Sequence, residues 1–313
     1  MTWCHGGCEG RGATGVPKLH DDEVEIDSTL VERLLAEQFP RWAGQPVQVI
    51  ERSGTDNVTF RVGELSVRLP RTERTLGQVE KDVAWMPRLA PHVSLPIPEP
   101  LELGQPGAGY PFTWGIYRWL PGAPFVLAEL DGVQAARDLA GFVRTLREVD
   151  ATGAPVPDGD PFSRGTPLAP RDAMFREALD QLKDHFDTGW VTAAWEESLA
   201  ADTWDGTPRW IHGDLMAGNV LVADGKLSAV SDFGTARAAD PAGDLLAAWY
   251  LFEGDSRTGF REALEVDEAP WLRARGWALS LEIISIPYYL RRSPNALSEG
   301  QESVAEILTD FRL

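Results

Sequence analysis

The chain of 313 residues is poor in cysteine and contains no long apolar run. Its two cysteines, Cys4 and Cys8, lie in a Gly-rich segment with His5 between them, and three candidate ligands fall short of a zinc site. No apolar run reaches the roughly 18 residues that a membrane span needs. Residues 1–27 also lack an apolar stretch of signal-peptide length. These absences predict a cytoplasmic protein.

Basic residues are also scarce, with Lys+Arg 29 against Asp+Glu 48 and a formal net charge of −19. A surface this acidic repels nucleic-acid backbones and anionic membranes, so neither is an expected partner. It would attract a cationic ligand. The alternative is that the high negative charge only keeps the protein soluble. With 43% hydrophobic residues, the composition is that of a globular protein rather than a disordered one.

The secondary-structure pattern divides the chain into a β-rich front and a mostly helical back. We expect a flexible leader over residues 1–27, a nucleotide-binding N-lobe over 28–120, and a catalytic and substrate-binding C-lobe over 121–313. Strands are predicted at 47–50, 58–62, 65–69, 101–103 and 112–119, and helices at 75–90, 131–149, 171–186 and 270–291. Prolines are expected to interrupt the first of these helices at Pro87 and to kink the last at Pro287. The fold class is therefore predicted to be α+β.

One hairpin in the back part carries the strongest chemical signal. Asp224-Gly225 is a typical two-residue turn between apolar runs. With this tip, Asn219 and Asp232 become a diagonal cross-strand pair on one face, with Cα atoms roughly 7–8 Å apart. One amide oxygen and one carboxylate oxygen could then converge on Mg²⁺. Asp214 lies in the loop that leads into the hairpin.

This arrangement is what phosphoryl transfer needs. A metal holds the phosphate oxygens, and a separate carboxylate orients the attacking hydroxyl and accepts its proton. The alternative is that Asp214 and Asp232 are ordinary turn and cap residues. Three polar groups at these spacings around one hairpin disfavour that alternative.

The string His212-Gly-Asp214-Leu-Met-Ala-Gly-Asn219, followed by Asp232-Phe-Gly234, resembles the aminoglycoside phosphotransferase family of the protein-kinase-like superfamily. The resemblance implies a bilobal protein-kinase-like fold whose β-rich N-lobe has one main helix. It implies that Asp214 is the catalytic base, that Asn219 and Asp232 bind Mg²⁺, and that His212 shapes the catalytic loop.

The resemblance extends over roughly residues 45–255. It includes the run Asp240-Pro-Ala-Gly-Asp244-Leu, in which Asp244 is implied to bond within the catalytic region.

The nucleotide is expected to bind in the N-lobe. The turn that contains Ser53 and Thr55 can offer backbone N–H groups and hydroxyls to phosphate, although it lacks the P-loop pattern. Arg68 stands where protein kinases place a lysine, and a guanidinium can bridge two phosphate oxygens. Its carboxylate partner is predicted on the next helix, where alignment favours Asp82 and leaves Glu80 open.

The stretch from residue 114 to 122 resembles the strand that enters the interlobe hinge. By that alignment, the carbonyl of Arg118 and the N–H of Leu120 hydrogen-bond adenine, and Tyr117 occupies the gate position. A plain core strand is an equal alternative for the aromatic side chains.

Three acids are candidates for gripping a substrate ammonium group. Glu282 lies in an apolar helical stretch, where an unpaired acid is costly. Glu253 and Asp255 follow the apolar segment after Asp244. The alternative is local pairing with arginines such as Arg291.

These features predict an ATP- and Mg²⁺-dependent phosphotransferase acting on a hydroxyl of a small, cationic molecule. An aminoglycoside-like antibiotic is the first candidate, and a macrolide, a cyclic basic peptide or a metabolite alcohol is the alternative. A nucleotide-binding pseudokinase is the competing class. A protein kinase is disfavoured because no Ala-Pro-Glu segment follows Asp232. We expect a monomer or a homodimer.

Overall fold

The computed structural model describes residues 23–50, 56–204, 206–290 and 293–311. It contains two compact units. Among the described residues, one comprises those up to Ala123 together with Ser228–Gly234, and the other comprises Pro124–Leu227 and those from Thr235 onward. Cys4, Cys8 and the rest of residues 1–22 lie outside the described part.

The N-terminal unit is built on a five-stranded antiparallel sheet with strand order β1-β2-β3-β5-β4. Its elements are α1 (Ser28–Gln38), β1 (Val47–Val49), β2 (Asn57–Val62), β3 (Leu65–Pro70), α2 (Gln78–Leu89), β4 (Pro100–Gly104) and β5 (Trp114–Arg118). Residues of β2 alternate between half-buried and buried, which is the period of two that a sheet with one covered face requires.

Helix α1 covers this sheet because its apolar residues recur at helical spacing. Asp27 caps the helix by accepting a hydrogen bond from the Leu30 N–H at 2.7 Å. Leu30, Leu34 and Leu35 are buried in one core cluster with strand residues such as Phe60. Burial of this apolar face stabilises both the helix and the sheet.

The chain packs against the sheet earlier than the predicted end of the leader. Glu23 and Arg71 form a buried ion pair at 2.8 Å, and the Val24 N–H donates to the Arg71 carbonyl at 3.2 Å. Ile26 is also buried in the core. The leader expected over residues 1–27 therefore overlaps the ordered fold from Glu23 onward.

The second unit is mainly helical. Its helices are α3 (Gly132–Glu148), α4 (Asp172–Gln181), α5 (Thr188–Ala200), α6 (Ala247–Tyr250), α7 (Gly254–Ala263), α8 (Glu268–Tyr289) and α9 (Ala296–Leu308). The short strands of this part of the chain are β6 (Ala123–Pro124), β7 (Arg209–Ile211), β8 (Val220–Ala223), β9 (Lys226–Val230) and β10 (Arg237–Ala239), and β7 pairs antiparallel with β10.

The expected helix over residues 131–149 is present as α3. Asp131 caps it by accepting from the Gln134 N–H at 3.1 Å, and its apolar face is buried from Ala135 to Leu146. The two prolines do not end their helices, since α2 continues past Pro87 and α8 past Pro287. Both lie within the last turns, where a missing N–H removes one late hydrogen bond only.

The predicted α+β class, with an antiparallel N-terminal sheet and a helical C-terminal part, is confirmed. In the described ranges, no helix combines the length and the apolar character that crossing a bilayer would require.

Candidate active site

The loop between β7 and β8 carries His212, Asp214 and Asn219. Gly213 turns the backbone here with a φ of 81°, a conformation that favours glycine. A Cβ at this position would lie 3.2 Å from the Thr235 hydroxyl and 3.4 Å from the Arg164 Cβ. The loop therefore needs glycine for both its conformation and its close packing.

Asp244 anchors this loop through hydrogen bonds to its backbone. Its two carboxylate oxygens accept from the His212 N–H at 3.0 Å and the Gly213 N–H at 2.7 Å. Burial raises the pKa of the Asp244 carboxyl, and His212, the Gly213 N–H and Arg147 oppose that rise. As expected, Asp244 bonds to the loop that carries His212 and Asp214.

A second layer of polar contacts fixes the turn that presents Asp244. Asp240 caps the short 3-10 helix Pro241–Asp244 and pairs with Arg273 of α8 at 2.7 Å. Arg147 of α3 donates to the Pro241 carbonyl at 2.6 Å. The loop is therefore supported by two helices through one short segment.

The Asp214 side chain is half-buried and held by its neighbours. The Asn219 amide donates to the Asp214 backbone carbonyl and to its carboxylate Oδ2, both at 2.8 Å. The Asp214 N–H donates to His212 Nδ1 at 3.2 Å. His212 itself is fully buried. A carboxylate oriented in this way, with part of its surface accessible, can receive a hydroxyl proton.

The Asp224-Gly225 turn joins β8 and β9 as the sequence predicts, with φ values of 52° and 72°. Positive φ at both positions is the geometry of a type I′ hairpin turn. The separation of Asn219 and Asp232 stays a prediction.

Asp232 lies in the N-terminal unit and has a left-handed backbone, with a φ of 61°. Such strain in a non-glycine residue is typical of functional sites. Its Oδ1 accepts from the Gly234 N–H at 3.4 Å, and Lys81 of α2 donates to the Gly234 carbonyl. An aspartate carboxylate and the oxygen of an asparagine amide are hard donors, so Asp232 and Asn219 fit the chemistry of Mg²⁺.

Arg68, Tyr117 and Asp82 form a second polar group in the N-terminal unit. The Arg68 guanidinium lies over the Tyr117 ring, 4.9 Å from its centroid, and the Tyr117 hydroxyl donates to Asp82 Oδ2 at 2.8 Å. Burial raises the pKa of Asp82, and the charge of Arg68 opposes this rise. Glu80 is exposed and accepts from the Thr113 hydroxyl at 2.8 Å. Of the two candidate partners, Asp82 is the one that Arg68 influences.

The other residues predicted to contact the nucleotide are Ser53, Thr55, Arg118 and Leu120. Ser53 and Thr55 lie outside the described residues. The Arg118 side chain is exposed and pairs with Glu99 at 2.6 Å, and Leu120 is half-buried just after β5. Their backbone contacts with adenine remain a prediction.

The three candidate substrate acids lie in different surroundings. Glu253 and Asp255 are exposed at the start of α7, where Glu253 is the N-cap, and they line an open groove of about 520 Å³ with residues 127–133. Glu282 is completely buried in α8, and neither of its oxygens has a hydrogen-bond partner among the described residues. Arg291, its suggested partner, lies outside them.

Sequence reasoning missed three polar residues of the helical unit. Arg164 lies in the Pro-rich stretch that precedes the helix predicted at 171–186, Arg171 is the first residue of that predicted helix, and Tyr250 ends α6. No local pattern marks these residues, because the tertiary packing alone brings them together.

The sequence profile described as the phosphotransferase enzyme family matches residues 47–278. No curated protein matches the chain. Among solved structures, the GDP complex of wild-type aminoglycoside 2'-phosphotransferase-IIIa is 21% identical, with a TM-score of 0.72 over 91% of this chain and 100% of that one. The apoenzyme of macrolide 2'-phosphotransferase MphH from Brachybacterium faecium is 23% identical, with a TM-score of 0.57 over 90% and 99%. At these identities, the likeness concerns the fold.

Proposed function

The chain belongs to the phosphotransferase enzyme family, and on that premise we propose that it transfers the γ-phosphate of ATP to a hydroxyl of a small cationic molecule. The observation that carries the proposal is the Asp214 carboxylate. It is half-buried, and the Asn219 amide orients it within a loop that Asp244 anchors.

Asp214 acts first by position. Its carboxylate accepts a hydrogen bond from the acceptor hydroxyl, aligns the oxygen with the γ-phosphorus, and takes the proton as the new P–O bond forms and the bond from the γ-phosphorus to the leaving ADP breaks. His212 holds the Asp214 backbone through its Nδ1 atom. The rigidity of this loop reduces the entropy that is lost when the two reactants are aligned.

Asn219 and Asp232 would hold Mg²⁺ through one oxygen each. When bound, the ion neutralises charge on the phosphate oxygens. Arg68 would contact the phosphates, with Asp82 and Tyr117 setting its position from the buried side. Ser53 and Thr55 would contribute phosphate donors, and the backbone of Arg118 and Leu120 would take the adenine.

The acceptor is proposed to be an aminoglycoside-like or other cationic molecule, with an ammonium group bound by Glu282 and further positive charge attracted by Glu253 and Asp255. A macrolide, a cyclic basic peptide or a metabolite alcohol is the alternative acceptor. The net charge of −19 supports a cation. One structural neighbour was solved with GDP and kanamycin, and another with streptomycin and ATP.

The competing function is a pseudokinase that binds nucleotide without turnover. The presence of Asp214, Asn219 and Asp232 favours turnover, because a protein that only binds nucleotide does not require a base.

The test is ATP turnover with a panel of amino alcohols and antibiotics, comparing the parent with Asp214→Asn. Since general-base catalysis contributes roughly 10²–10⁴-fold, we expect a loss of that size. Asp224→Asn is the matched control, because it makes the same change at an exposed hairpin tip where asparagine tolerates the positive φ. Near-parental turnover in Asp214→Asn would remove the assigned role.

A further inference from the structure

The helical unit contains buried polar atoms, close to the catalytic loop, that lack hydrogen-bond partners among the described residues. Among them are Arg164 Nε, Arg171 Nη2, the Tyr250 hydroxyl and both carboxylate oxygens of Glu282, and the same unit contains three further such atoms, Arg147 Nε, Trp249 Nε1 and Arg275 Nε. Native proteins leave few such atoms, because an unsatisfied buried polar group costs about 1–3 kcal/mol. Several of them in one region indicate that another molecule completes the set.

Tyr250 is the common point of this group. Burial raises the pKa of its hydroxyl, the negative charge of Glu282 raises it further, and the positive charge of Arg164 lowers it. Asp214 also acts on it, and Tyr250 in turn acts on Arg171. The carboxylate, the two guanidinium groups and the catalytic Asp214 therefore all lie within electrostatic reach of one hydroxyl.

This group has an acidic end, Glu282, and a basic end, Arg164 and Arg171. The opposite charges of the two ends are not paired with each other. The Tyr250 hydroxyl neighbours the Glu282 carboxylate without the geometry of a hydrogen bond. None of the ion pairs formed by the described residues joins Glu282 to Arg164 or Arg171. Among the described residues, Glu282 is therefore not joined to Arg164 or Arg171 by a hydrogen bond or an ion pair.

The basic end is rigidly built. Arg171 is fully buried and stacks on Trp277, 4.4 Å from its ring centroid. It donates to the Ser280 hydroxyl at 2.8 Å and to the Pro161 carbonyl at 2.6 Å, which leaves Nη2. Arg164 lies over the same Trp277 ring at 5.8 Å, and its Cβ packs against Gly213, next to Asp214. Asp160 provides negative charge near Arg171.

We propose that the acceptor substrate is a hydroxylated zwitterion, whose ammonium group pairs with Glu282, whose anionic group pairs with Arg164, and whose hydroxyl is thereby placed at Asp214. This inference rests on the proposed phosphotransferase function and, among its candidate acceptors, favours a metabolite alcohol over an aminoglycoside-like cation. Tyr250, which is within electrostatic reach of both charges, orients the ligand through its hydroxyl. Arg171 is a positioning residue that acts on Arg164 through the shared Trp277.

The Arg164 guanidinium would repel a purely polycationic substrate and would gain no anionic partner from it. A hydroxylated amino acid satisfies both ends with two charge-assisted hydrogen-bonded pairs, each stronger than a neutral hydrogen bond. If ordered water alone completes the hydrogen bonds of these groups, the protein has no preference for a zwitterion over a cation. A comparison of ligand affinities therefore distinguishes the two cases.

The experiment measures binding and turnover separately. Binding is followed by calorimetry on the full chain with Mg-ATP analogue present, for L-homoserine, its decarboxylated analogue propanolamine, its deaminated analogue γ-hydroxybutyrate, and kanamycin. We expect L-homoserine to bind at least tenfold more tightly than either analogue and than kanamycin. Tighter binding of kanamycin or propanolamine, or no binding in the series, overturns the proposal.

Variants test whether Arg164 binds the anionic group of the ligand and Glu282 its ammonium group. Arg164→Met should remove the preference for L-homoserine over propanolamine, Arg164→Lys should restore part of it, and Glu282→Gln should weaken both. Arg137→Met, at an exposed position of α3, is the control for loss of one positive charge. A merely structural role of Arg164 would weaken both ligands equally, which counts against the proposal. Selective binding without phosphoryl transfer would refute the proposed function and leave the zwitterion receptor standing.

Discussion

Replacing Glu282 with glutamine should change how the stability of the protein depends on pH. Burial raises the pKa of Glu282 to about 7 from an ordinary value of 4.5, and the neighbouring Tyr250 hydroxyl opposes this rise. The folded protein therefore binds the Glu282 proton more tightly than the unfolded chain does. Between about pH 4.5 and pH 7, the free energy of unfolding of the parent should fall as pH rises, because the unfolded carboxyl ionises first.

The size of the effect follows from the two pKa values. A tenfold change in proton affinity corresponds to about 1.4 kcal/mol, so ionising Glu282 in the folded state costs about 3 kcal/mol. The carboxylate is fully buried, which means that solvent screens this cost little. Glu282→Gln has no proton to lose, and its stability relative to the parent should rise by about 3 kcal/mol between pH 4.5 and pH 8.

The assay is urea unfolding followed by tryptophan fluorescence at a series of pH values, without substrate. Glu302→Gln, at an exposed position of α9, makes the same change away from the buried cluster and should leave the pH profile unchanged. A stability difference between Glu282→Gln and the parent that stays constant over this pH range, or that moves against the variant as pH rises, would refute the reasoning.

Three further substitutions test contacts that shape the fold and the site. Asp244→Asn places an N–H₂ group against a backbone N–H donor and should cost about 2–4 kcal/mol by urea unfolding, together with a fall in kcat. Glu23→Gln breaks a buried ion pair with Arg71 and should lower the unfolding free energy by about 3 kcal/mol, whereas an uninvolved leader would show no change. Tyr117→Phe removes the one hydrogen bond that the described residues donate to the Asp82 carboxylate, and it should cost about 1–3 kcal/mol with a raised KM for ATP. An unchanged KM would show that Tyr117 does not act on the nucleotide site.

The sheet and the main helices were predictable because their signals are local. Alternation of apolar residues marks β2 and β3, the Asp224-Gly225 turn marks the hairpin, and the Asp131 cap with its apolar face marks α3. Helix α5 has no such signal. It contains glycine, two threonines and a valine, which are weak helix formers, and packing against α8 stabilises it.

The site was predictable only where its residues follow one another in sequence. Asp214 and Asn219 are five residues apart, and their hydrogen bond joins two ends of one loop. Arg164 reaches the same loop from a Pro-rich segment about fifty residues earlier, and Glu282 comes from a helix that follows much later. Periodicity and spacing contain no information on such contacts, because the fold of the whole unit determines them.

The surroundings of each acid in the helical unit distinguish structural from ligand-binding roles. Asp244 is as buried as Glu282, but its oxygens receive two backbone N–H groups, so its charge is used within the fold. Asp214 is half-exposed and receives one amide, which orients it and leaves a side open to a hydroxyl. Neither oxygen of Glu282 accepts a hydrogen bond from the residues that the structure describes. Because an unsatisfied buried carboxylate lowers stability, its presence in α8 supports the proposal that a cation of the substrate binds there.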